Sequence, residues 1–202
     1  MSKGEQTRAA ILDAALAQAS EAGFESLTIG TLAEQTGLSK SGLFAHFGSR
    51  EDLQIAAIEA AAARWTETVF MPALRAKRGL PRLRAWFDNW LDWTVRSGLA
   101  HACPMQAAAT EFDDRPGPVR DVVVEHFTRL ERELERAVGM AIEQGHFRPD
   151  VDIPQFVFEM MGILYGYHHR ARLFPGQIAV TRSRAKSAFE RLVRASRRAI
   201  SK

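Results

Sequence analysis

Lys40, Ser41, His46 and Arg50 fall within one short stretch and share one chemistry, the donation of hydrogen bonds and positive charge to an anion. Lys40 suits a phosphate or a guanine edge, Ser41 a phosphate or a base, and His46 and Arg50 suit phosphates. Bond-making chemistry has no comparable grouping. The chain holds no paired carboxylates, nucleophile elbow, phosphate loop or metal cluster, so no catalytic residue, metal or cofactor is expected. His101, His126, His146, His168 and His169 include no pair at the i, i+4 spacing of helical metal ligands. Cys103 is the only cysteine and can form no intrachain disulfide, which fits a reducing cytoplasm. Only His101 stands near enough in sequence to favour its thiolate. A buried structural thiol is the plainer role, and a redox-responsive switch the alternative.

The elements that must position the four donors lie in "LAEQTGLSKSGLFAHF", residues 32–47. It contains two helical patterns, each too short to be stable alone. Thr28 is placed to cap the first, whose inner residues are Ile29, Leu32 and Ala33. Ala33 is small where a second helix crosses. Gly37 takes the sharp turn, where a left-handed backbone costs glycine little. Leu38 faces inward, Ser39 caps the second helix, and Leu43 and Phe47 anchor it. Lys40, Ser41, Gly42, Ala45 and His46 are left on the outer side. This is a helix-turn-helix, whose second helix has the dimensions to enter a DNA major groove. The amide ends capped by Thr28 and Ser39 add anion sites. The plainer alternative is an ordinary helical turn that happens to use glycine and serine.

"LTIGTLAEQTGLSKSGLFAHFGSREDL" resembles the DNA-binding signature of the TetR family of bacterial transcriptional repressors, and the likeness extends back to Arg8. The resemblance implies an all-helical dimer with about three helices reading DNA, a fourth connecting helix, and a larger helical body with a small-molecule pocket. It adds Phe44 to the reading face. Three positions depart from the family pattern. Gly30 and Gly42 lack side chains where relatives often carry them, and Phe44 replaces a common tyrosine, removing a phenol-to-phosphate hydrogen bond. Fewer direct DNA contacts are therefore expected.

The rest of the chain reads as helices. Gly23 ends a first helix over residues 8–21, and Ser49 starts a fourth that runs through Ile55, Ala56, Ile58 and Ala62 towards Pro72. Leu83, Trp86, Phe87, Trp90, Leu91, Thr94 and Val95 form an apolar stripe, with Trp93 placed off it. Glu111, Asp113 and Asp114 read as a polar loop. A long helix begins near Pro118 and ends near Gly145, and Asp152 with Pro154 opens the next. Trp86, Trp90, Trp93, Met105, Phe112, Phe127, Met160, Met161 and Tyr165 are the candidate lining of an apolar or aromatic pocket, with plain core packing the simpler role for each. "IPQFVFEMMGILYGYHH" is apolar nearly all round and must be covered on several sides. With the last helix it forms the expected dimer interface, through Phe158, Gly162, Gly166, Ala185, Phe189 and Leu192, the two glycines permitting close backbone approach. A buried monomeric helix is the alternative. From Thr181 onward eight basic residues, Arg198 and Lys202 among them, face only Glu190, and Ile200 closes the apolar stripe. The basic side is read as a solvated face.

The expectation is one all-α chain, with a DNA-binding domain over residues 1–50 and a ligand-binding and dimerisation domain over 51–202. The head carries four basic and five acidic residues, so DNA affinity must rest on local charge placement and be strongly salt-dependent. "MSKGEQTRAAILDAALAQAS" reads as a helix rather than a signal peptide, and no apolar run is long enough to span a bilayer. The partners expected are double-stranded operator DNA, a small effector and a second copy of the chain, in the cytoplasm. Repression is the leading outcome, with activation or Cys103-based redox response as alternatives. An enzyme and a helical adaptor are the competing classes.

Overall fold

A computed structural model describes residues 2–99 and 103–197, and all regular structure among them is helical. His101, Arg198, Ile200 and Lys202 lie outside the described residues. The chain forms two compact units, one of residues 1–65 with 97–127, the other of 66–96 with 128–202.

The first unit opens with α1, Lys3–Ala22. It starts earlier than its apolar stripe because Ser2 and Glu5 make a reciprocal capping box. Ile11, Ala15, Leu16 and Ala19 bury its inner face. Gly23, at φ 82°, ends the helix, and a 3-10 turn follows over Phe24–Ser26. Next come α2, Ile29–Thr36, which packs on α1, and α3, Lys40–Phe47, which packs on α2 and on the helix that follows it. The fourth helix, α4, spans Arg50–Trp65 and buries Leu53, Gln54, Ala57, Ile58 and Ala61. That face is rotated by about one residue from the expected one, leaving Ile55, Ala56 and Ala62 half-buried. After α4 the chain passes through a π-helical turn at Thr66–Phe70 and a short α5, Met71–Ala73. The unit is completed by α8, Pro104–Phe112, and the start of α9, Pro118–Glu143. Here α8 packs on both α1 and α4.

The second unit holds α6, Leu80–Leu91; α7, Trp93–Ser97; the remainder of α9; α10, Ile153–Leu173; and α11, Ile178–Ser196. Asp152 caps α10 by accepting from the Gln155 amide, and Pro154 occupies its first turn. Helices α10 and α11 pair as an antiparallel hairpin, and α6 packs on α10.

Three expectations about this unit are corrected. Trp93 is fully buried rather than off the stripe, and Val95 is 84% exposed rather than on it. The reason is a break: α6 ends at Leu91 and a new helix starts at Trp93 after non-helical Asp92, so the phase of the stripe does not carry through to Val95. Ala185 and Phe189 lie inside the protomer's own core rather than on a docking face. The Phe189 ring stacks on Phe87 of α6 at 4.1 Å and 7°. Nor is the basic side of α11 simply solvated. Arg182, Lys186 and Glu190 meet Asp92, Asp88 and Arg84 in turn, a ladder of three pairs at helical spacing along α6 and α11. The Arg84–Glu190 pair is bidentate, at 2.9 and 2.8 Å. The Arg182 hydrogen bond holds the Asp92 carboxyl below its usual range, and Arg84 does the same for Glu190.

Candidate nucleic-acid interface

The reading face is assembled by caps that act within a few residues. Thr28 Oγ1 accepts from the Thr31 amide at 3.1 Å, and Thr31 Oγ1 accepts in return from the Thr28 amide at 3.3 Å. Gly37 ends α2 in the left-handed region, at φ 69° and ψ 17°, and the Leu38 amide donates back to the Ala33 carbonyl. Ser39 Oγ accepts from the Gly42 amide at 3.0 Å and starts α3. Leu43 and Phe47 are then buried, one turn apart, so the rest of this two-turn helix faces outward. Ser49 caps α4 by accepting from the Asp52 amide at 3.0 Å.

On the outer side Lys40, Ser41 and Ala45 are exposed, Phe44 is 55% exposed, and Gly42 and His46 are half-buried. Lys40 lies back towards the first turn of α2: a Cβ on Gly30 would stand 3.7 Å from its Cε and 3.9 Å from its Nζ. The missing side chain at Gly30 thus leaves room for the ammonium near the amide end of α2. Behind the face, the Arg8 guanidinium lies 5.1 Å over the Phe47 ring, bracing α3 against α1.

Arg50 stands apart from this group. Its Nε donates to the Leu27 carbonyl at 2.9 Å, and Nη2 donates to the Glu25 carbonyl and reaches the Glu25 carboxylate. A side chain assigned to phosphate from its charge is engaged with the corner between α1 and α2.

The candidate pocket residues are distributed over both units. Trp86, Trp90, Trp93, Met160 and Met161 are buried in the second, where Tyr165 is half-buried; Met105 and Phe112 are buried in the first, where Phe127 is half-buried. His168, read only as a non-ligand, is buried beside them on α10, with its ring 5.0 Å from that of Tyr167. Burial pushes its pKa down to about 4, opposed by a hydrogen bond with the Trp90 backbone, so the ring is neutral at pH 7. Cys103 is buried at the start of α8, and desolvation pushes its thiol up to about 11, away from the thiolate that a redox sensor needs. Glu111 is on α8 rather than in a loop, and its carboxylate accepts from the amides of Phe24 and Glu25. No local signal marked it, because its partners are 87 and 86 residues away.

On α10 the Phe158, Gly162 and Gly166 row points outward; Phe158 is 74% exposed, and nothing lies near either glycine's missing Cβ. Beside it a groove of about 670 Å³ runs between α10 and α11, lined by Gln155, Glu159, Gly162, Ala188, Arg191 and Leu192 among others.

A capped helix pair braced on a third helix, with one small outward face, defines a helix-turn-helix DNA-binding protein. Residues 11–57 match the model for bacterial regulatory proteins of the tetR family, and residues 79–187 match the tetracyclin repressor-like C-terminal domain. The chain belongs to the TetR family and is a DNA-binding transcriptional regulator rather than an enzyme. It is 28% identical over 170 residues to the HTH-type transcriptional repressor AcnR of Corynebacterium glutamicum, covering 83% of each chain. A TetR transcriptional regulator from Chloroflexus aurantiacus is 26% identical with a TM-score of 0.82 over 96% of each chain. One from Cytophaga hutchinsonii, 19% identical, shares the fold with a TM-score of 0.83 over 99% of each chain. No helix among the described residues is long and apolar enough to cross a membrane.

Proposed function

We propose that this protein is a homodimeric cytoplasmic repressor that holds a palindromic operator and is released by a small apolar or aromatic effector. The observation that carries the reading is the outward face of α3: Lys40, Ser41, Phe44 and Ala45 stand in solvent while Leu43 and Phe47 fix the helix from behind. Residues 1–50 are the reading head, and 51–202 the ligand-binding and dimerisation body. Thr28, Ser39, Lys40, Ser41 and His46 supply backbone contacts, and Gly42, Phe44 and Ala45 bring a smooth surface against the bases. Repression is favoured over activation by the likeness to a protein named as a repressor. The tryptophan and methionine side chains of α6, α7 and α10 suit an apolar effector.

Dimerisation is assigned to α10 and α11. A two-fold axis at the Phe158, Gly162 and Gly166 row lets each Phe158 enter the partner's α10–α11 groove, and a dimer reading successive major grooves needs its two α3 helices roughly 34–36 Å apart. An effector releases the DNA to the extent that it prefers a conformation whose head spacing no longer fits.

An electrophoretic shift assay on the DNA flanking its own gene tests the reading, repeated with a panel of hydrophobic compounds. A retarded band that one compound abolishes is expected. No band at any salt concentration that permits DNA binding by other regulators overturns it. A redox switch at Cys103 is tested by alkylation: iodoacetamide is expected to label native protein far more slowly than unfolded protein at pH 8.

A further inference from the structure

We infer that Glu111 is a positioning residue for DNA reading: from α8, its carboxylate fixes the corner from which α2 begins, and so sets the aim of α3. The inference rests on the DNA-reading role of α3 proposed above.

The corner runs from Gly23 to Leu27. Its first amides sit at the start of the 3-10 turn, where the chain offers them no helical partner. Glu111 takes both: Oε1 accepts from the Phe24 amide at 3.1 Å, and Oε2 from the Glu25 amide at 2.8 Å. Gly23 is fitted to that carboxylate. It has φ 82°, and a Cβ there would stand 2.1 Å from Glu111 Oε1.

Other polar groups of the corner are held from α1, from α4 and from the turn after α8, and Gln18 of α1 donates to the Ser26 carbonyl at 2.7 Å. The buried Gln54 amide donates to the Phe24 carbonyl at 3.0 Å, and Arg50 donates to the Leu27 carbonyl at 2.9 Å. The Glu25 carboxylate bridges Arg50, at 3.3 Å, and Arg115, at 3.0 Å.

Thr28, the cap of α2, is the residue after this corner, and α3 follows α2 through the tight Gly37 turn. The rotation of α3 is therefore inherited from backbone groups that Gln18 and Arg50 hold from within the head, and Gln54 and Glu111 from outside it. Two parallel hydrogen bonds to one carboxylate fix a direction as well as a distance, which a single contact does not. Phe24, whose side chain is fully buried, anchors the same corner in the core. Rotation about that anchor is what the Glu111 carboxylate resists.

The test uses full-length protein with a duplex that the unaltered protein selects from a random-sequence pool, together with versions of it having one base pair added or removed between half-sites. Glu111→Gln keeps the shape but makes one of the two acceptors a donor. Glu111→Asp keeps the charge but is too short to hold both amides, and serves if the first variant does not fold. Each is measured below its unfolding temperature, with amide exchange at Phe24 and Glu25 followed in parallel.

The expected result is faster exchange at both amides, operator binding weaker by about tenfold, and reduced discrimination between half-site spacings, with the salt slope unchanged because Glu111 touches no phosphate. Simple destabilisation does not alter spacing preference. Faster exchange with affinity within about twofold of the parent and spacing preference intact overturns the inference alone. Failure of the unaltered protein to select any duplex overturns the DNA-reading proposal, and this inference with it.

Discussion

Lys40 is the side chain on which the proposed DNA contact turns. It is the one lysine or arginine of α3, it is exposed, and it lies towards the amide end of α2, where a phosphate is favoured. Lys40→Ala is expected to weaken binding about equally across operator sequences and to reduce the salt slope by about 1, measured by titration at several salt concentrations. An unchanged slope assigns the lysine to bases instead. His168 poses a different question, because it carries a buried neutral ring. Its pKa, about 4 in the fold against about 6.5 when unfolded, means that the unfolded chain binds more protons between those values. The contribution is fully present above about pH 6.5 and is lost progressively as pH falls to 4, by ~3 kcal/mol in all. Urea unfolding of His168→Gln is expected to show a shallower fall in stability over that window than the parent.

At the scale of elements, the α6–α11 ladder and the stacked Phe87 and Phe189 rings explain why α11 faces as it does. The ladder runs Arg84, Asp88, Asp92 on one helix and Glu190, Lys186, Arg182 on the other, an order that matches only when the helices are antiparallel. Its side chains are about one-third exposed or more, so the energy is modest and the register is the larger consequence. Arg84→Glu is expected to cost roughly 1 kcal/mol, and adding Glu190→Arg to restore much of it, in a double-mutant cycle read by chemical denaturation. Full additivity of the two changes counts against the pairing. The six charges are visible in sequence at i, i+4, i+8, but the sequence suggests only a solvated face for α11, because its partners on α6 are about 100 residues away.

For the whole molecule, Phe158 is the residue that tests the proposed two-fold interface. It is 74% exposed in the protomer, so Phe158→Glu is expected to leave the helical circular dichroism unchanged while converting dimer to monomer in sedimentation, with thermal stability falling only by the lost contribution of dimerisation. A monomer reaches only one half-site, and operator affinity should fall by more than about tenfold with it. A Phe158→Glu protein that stays dimeric places the two-fold axis elsewhere. Phe189 and Ala185, expected at the same interface from the apolar stripe of the last helix and the family resemblance, contribute to the protomer's core instead.

Sequence alone was enough for the all-helical class and for the architecture of the reading head. Thr28, Gly37, Ser39, Leu43 and Phe47 each act on neighbours within about five residues, and hydrogen-bonding caps and helical phase are local physics. Tertiary structure decided what packing brings together across long stretches of chain. It turned Phe189 inward onto Phe87, drew Arg50 to the corner at residues 25–27, and delivered Glu111 to amides 87 residues away. An apolar or charged side chain announces that it needs a partner, but which partner it meets is decided only when the helices pack.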